Sequence, residues 1–86
     1  MNNVNNPTAL PEKISWIEAQ VCIFIANNKN CSYLDAFRKF SASKTHKMLV
    51  DEKLEMWFFS PEAIYEIYTE EEKSGDPLKS QYLMGA

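Results

Sequence analysis

Apolar side chains recur at helical spacing along most of this chain. Ile14, Ile17, Val21, Phe24 and Ile25 share one side of a first helix. Pro11 suits its first turn, and Glu12 complements the positive end of its dipole. Asn27–Asn30 ends it, because Asn tolerates turn and left-handed backbone. Ser32 caps the next helix, placing its hydroxyl against the amide of Asp35. Leu34, Phe37 and Phe40, with Tyr33 beside them, form that helix's apolar stripe. Ser43 caps a third helix, which carries Val50, Leu54, Trp57 and Phe58 inward. Ser60-Pro61-Glu62 opens a fourth, with Ile64, Ile67 and Tyr68 inward and Gly75 after its end.

The pattern predicts an all-α fold, a compact bundle of about four short helices over residues 11–28, 32–42, 44–58 and 61–73. Residues 1–10 read as a disordered N-terminal segment, 11–75 as the helical domain and 76–86 as a short C-terminal tail. Phe59 and Ile64 flank the Ser60 cap at the spacing of a hydrophobic staple. The competing reading of "LEMWFF" (54–59) as a strand lacks a second strand to pair with.

The first helix carries more apolar surface than one stripe needs. Trp16 and Ile23 fall together opposite the main stripe, with Ala19 nearby. Two arrangements account for them. Either the bundle wraps the first helix, with Leu78, Tyr82 and Leu83 of the tail covering the second stripe, or Trp16, Ala19 and Ile23 form an exposed patch that docks another chain. Tyr82 and Leu83 are further candidates for partner contact. Self-association as a two-fold dimer is the simplest form of such docking.

With 86 residues the chain is one domain, and 45% hydrophobic residues place it among globular proteins. Its two glycines are too few for a sheet of tight hairpins. Net charge is −3, which counts against a dedicated nucleic-acid binder. The charge is segregated: basic residues predominate from Lys29 to Lys53, and every charged residue from Glu55 to Glu72 is acidic. The start "MNNVNNPTAL" resembles no secretory signal, and the longest apolar run, "VCIFIA", is far short of a membrane span. A cytoplasmic protein with Cys22 and Cys31 as free thiols is the corresponding expectation.

Chemistry-bearing residues are sparse. Cys31, His46 and Asp35 are nucleophile, base and orienter by type, but nothing in their spacing enforces contact. Cys22, Cys31 and His46 lack a metal-ligand spacing. No glycine-rich phosphate loop is present, and no cofactor is expected. The segment 32–59 has the lengths of a helix-turn-helix, with Lys44, His46 and Lys47 opening the would-be recognition helix. Asp51, Glu52 and Glu55 follow on that same helix, which makes a nucleic-acid-binding regulator the second reading rather than the first.

The segments "ISWIEAQVCIFIANNKN", "YLDAFRKF" and "HKMLVDEKLEMWFFSPEAIYEIYTEE" resemble, from Ile14 to Glu71, a family of short, uncharacterised all-helical bacterial proteins. The resemblance implies an apolar first helix, and a third and fourth helix joined by a short loop. Some members of that family are thought to be encoded beside toxin-like ADP-ribosyltransferases. It therefore implies a small partner or antitoxin-like protein, and it carries over no catalytic residue. The expectation is a non-enzymatic protein-interaction module, acting either as a homodimer or on the product of a neighbouring gene.

Overall fold

A computed structural model describes residues 10–84. The expectation of disorder at the N-terminus concerns residues that, apart from Leu10, lie outside this range. Five helices follow in order: α1 Leu10–Lys29, α2 Tyr33–Ser41, α3 Lys44–Val50, α4 Pro61–Ser74 and α5 Gln81–Met84. No strand occurs among the described residues. The fold is an all-α bundle around one core. Ile17, Val21 and Ile25 of α1, Phe40 of α2, Leu49 of α3, and Ile64 and Ile67 of α4 are all buried there.

The three serine caps form as their spacing implies. Ser32, Ser43 and Ser60 accept hydrogen bonds from the amides of Asp35, His46 and Ala63 at 3.1, 3.0 and 3.2 Å. Each supplies an acceptor to an amide that the helix itself cannot satisfy. The helix ends are equally local. Asn30 takes the left-handed conformation (φ 56°), and the Cys31 amide reaches back to the Ala26 carbonyl at 3.1 Å, which closes α1. Gly75 does the same for α4 at φ 83°, where a residue with a Cβ is strained.

The third helix is shorter than its periodicity suggests. It stops at Val50, and the chain continues as two 3-10 turns, Glu52–Leu54 and Met56–Phe58. At the break the Asp51 carboxylate accepts from the Lys53 amide at 3.1 Å, a local bond that competes with helix continuation. Glu55 then adopts a left-handed conformation (φ 55°). These turns bring Met56 into the core. The expected inward stripe is therefore wrong in its second half. Val50, Leu54 and Phe58 are exposed, Phe58 at 76%, and only Trp57 is partly buried against the core. Phe59 packs against the core cluster, whose members include Ile64.

The tail folds back along α4. A 3-10 turn at Pro77–Lys79, capped by the Asp76 carboxylate on the Leu78 amide at 2.9 Å, leads into α5. Pro77 and Ser80 are buried in this turn.

Candidate functional site

α1 has two unlike sides. Ile14, Ile17, Val21, Cys22 and Ile25 are buried. Roughly half a turn away at about 100° per residue lie Glu12, Trp16, Ala19, Ile23 and Asn27. Trp16 is 50% exposed and Ile23 42%, with Ala19 half-buried between them. The tail does not cover this stripe. Tyr82 instead stacks edge-on against Phe59 at 6.0 Å, and Leu83 packs on the core. Of the five expected partner-contacting residues, Trp16, Ala19 and Ile23 thus share one outward face. Tyr82 and Leu83 take part in holding the tail to the bundle.

Sequence reading missed the side of α2 that borders this face. Of the expected stripe of Leu34, Phe37 and Phe40, with Tyr33 beside it, Leu34 and Phe37 are 54% and 43% exposed and Tyr33 is 48% exposed; only Ala36 and Phe40 of α2 are buried. On the wheel the buried Ala36 and Phe40 lie about 40° apart, whereas Leu34 stands roughly 120° from Phe40, on the arc that the bundle leaves open. α2 runs back along α1. Its start follows the Cys31–Ala26 closure, and at its end Phe40 meets the His46 ring, which pairs with Glu18 of α1. With α2 antiparallel to α1, right-handed helix geometry turns Leu34 and Phe37 toward the flank of α1 that carries Ala26 and Ile23.

The face is poor in charge. Between Ile14 and Asn28 the only charged residue of α1 is Glu18, and it is engaged by His46 Nε2. On α2, Arg38 follows Leu34 by one turn on the same side and approaches Asp35 at 3.7 Å on the surface.

Elsewhere, polar groups converge on structural contacts. The Glu71 carboxylate of α4 accepts from the Lys44 amide, the Thr45 amide and Thr45 Oγ1 at 2.9, 2.9 and 2.7 Å. Burial pushes its carboxyl up, but these donors and the Lys44 charge outweigh burial and hold it below the ordinary value. Lys44 Nζ donates to the Gly75 carbonyl at 2.9 Å. Two of the three residues that would open a recognition helix, Lys44 and His46, are thus tied to the protein's own α4 and α1. Cys31, His46 and Asp35 form no triad, since His46 faces Glu18 and Phe40. Cys22 and Cys31 are unpaired thiols, and burial, with Glu18 nearby, pushes the Cys22 thiol up to about 11. Among the described residues no three His, Cys, Asp or Glu side chains gather to hold a metal, and no helix is long and apolar enough to cross a membrane. An open groove of about 480 Å³ between α4 and the tail is lined by Glu66, Glu70, Lys73 and Lys79 among others. Its polar groups are of mixed sign and lie on the surface.

Compared with known proteins, the chain matches no family model, no curated sequence and no solved structure.

Proposed function

We propose that this protein is a small non-enzymatic interaction module that binds another protein chain through the outer face of α1, with Trp16, Ala19 and Ile23 at its centre. One observation carries the reading: a tryptophan and an isoleucine stand half in water on a helix stretch whose only charge is already paired. Tryptophan is enriched where interfaces concentrate their energy, and contiguous exposed apolar surface is a mark of interaction sites. Tyr82 and Leu83 support the module by fastening the tail.

The test is the double substitution Trp16→Ala with Ile23→Ser, followed by co-purification from the native host and a thermal melt. An interaction face predicts that a stoichiometric companion, or a second copy, is lost while the melting temperature stays within a few degrees. A variant that keeps its companion, or one that unfolds, sinks the reading.

A further inference from the structure

The spacing along the outer face of α1 is symmetric. Glu12, Trp16, Ile23 and Asn27 are separated by four, seven and four residues, with Ala19 and Gln20 at the midpoint. A helix with such a face can meet its own copy antiparallel about a two-fold axis. Each Trp16 then lies over the partner's Ile23, and each Glu12 opposes the partner's Asn27. We infer that the occupant of this face is a second copy of this chain, packed α1 against α1 across a two-fold axis at Ala19–Gln20. The inference rests on the interaction role proposed above and names its partner.

Four observations fit this occupant. Ala19 at the axis is small, so the two helices can approach to the 8–10 Å typical of packed pairs. Trp16 and Ile23 are large on both sides of it, which lets each bulge meet the other at a different height. The rim pairs chemically as well, because the Glu12 carboxylate accepts hydrogen bonds and the Asn27 side-chain amide donates them. Both are exposed, and the match is made twice. Antiparallel helices also set their dipoles head to tail.

The size of the patch is right for a dimer. Trp16, Ile23, Leu34 and Phe37 are 50%, 42%, 54% and 43% exposed. Together they leave on the order of 400 Å² uncovered, about half of the roughly 800 Å² that each partner contributes to a standard interface. That is the share expected of an apolar centre inside a polar rim. The centre of the face, Trp16, Ala19 and Ile23, carries no charge, so a partner that brought charges there would have to desolvate them unpaired. A second copy brings the same uncharged centre.

The experiment places charges at the axis. Ala19→Glu and Ala19→Lys are made separately and compared with wild type by sedimentation at about 100 μM, a concentration at which a dimer of micromolar affinity is nearly complete. Wild type sediments as a dimer. Each variant alone brings two like charges together at the axis and sediments as a monomer with an unchanged melt. A one-to-one mixture of the two restores the dimer, because only the mixed pair juxtaposes opposite charges. A merely destabilising effect of either substitution gives no such rescue. A monomeric wild type, or a mixture that stays monomeric, overturns the second-copy assignment. If the wild type is monomeric but loses a different host protein on Trp16→Ala with Ile23→Ser, the interaction face stands and only its occupant changes. If that double variant keeps its companion, the face itself is wrong.

Discussion

Glu71 and Thr45 lie 26 residues apart in sequence and are joined twice, through the Thr45 amide and through Thr45 Oγ1 at 2.7 Å. Thr45 is fully buried, so its hydroxyl needs this acceptor. The same carboxylate also takes the Lys44 amide. One side chain of α4 thereby satisfies two of the amides that a helix of only seven residues leaves open at its start. The Glu71 backbone carbonyl accepts from the Gly75 amide at 2.6 Å, so this residue helps to fix one end of each helix.

Glu71→Gln therefore destabilises the fold. The neutral amide has one acceptor oxygen where the carboxylate has two, and it loses the charge-assisted character of the bonds. The expected loss is about 2 kcal/mol by urea denaturation at neutral pH, in the range for breaking partly buried hydrogen bonds to a charged group. An unchanged midpoint would show that water replaces the carboxylate at no cost.

Acid should erase that difference. The folded Glu71 carboxyl is held below its ordinary value of 4.5, so it binds its proton less readily in the folded chain than in the unfolded one. Its contribution is fully present above 4.5 and is lost as pH falls through the lower folded value. Stability curves of wild type and Glu71→Gln should run parallel near neutrality and converge in that acid window. Curves that stay parallel down to the acid transition would remove Glu71 from the account of acid sensitivity.

Glu55→Gly should stabilise the protein. Glu55 is exposed and makes no capping bond, yet it holds a left-handed backbone at φ 55°. A side chain in that region costs about 1 kcal/mol or more, which glycine avoids, although glycine also frees the unfolded chain. The expected net gain is about 0.5 kcal/mol in denaturant midpoint measurements. A net loss would reveal a contact of the Glu55 side chain that outweighs the strain.

The two thiols should differ sharply in reactivity. Cys22 is fully buried with its thiol pushed up, whereas Cys31 is only partly covered. Native protein should label with a disulfide reagent at Cys31 first, and Cys22 should react more than about 100-fold slower, through opening of the core. Equal rates would mean that α1 opens far more readily than its packing implies.

Much of this architecture could be read before any coordinates, because its punctuation is local. Ser32, Ser43 and Ser60 each needed only the amide three residues on, and Gly75 only its own backbone freedom. What could not be read depended on other parts of the chain. Nothing between Lys44 and Phe59 breaks a helix by composition, since the stretch holds neither glycine nor proline. The break arises because turning at Asp51 and Glu55 buries Met56 and returns the chain to Ser60. Leu34 and Phe37 were misplaced for a related reason. Periodicity finds an apolar arc, but only the neighbouring helices decide how much of it they cover. The α1 face was legible because its second stripe lies opposite the first, where no single core can reach both.

Phe58 stands at 76% exposure in the linker between α3 and α4, beside a strained residue and two short turns. A protease that cuts after aromatic residues would find its most accessible bond there. The two pieces would not simply drift apart. Glu71 would still grip Thr45, Lys44 would still reach Gly75, and Ile64 and Ile67 would remain in a core shared with α1. The nicked molecule would thus be a pair of complementing fragments, one carrying α1 to α3 with the exposed Trp16 and Ile23, the other carrying the helix that locks it.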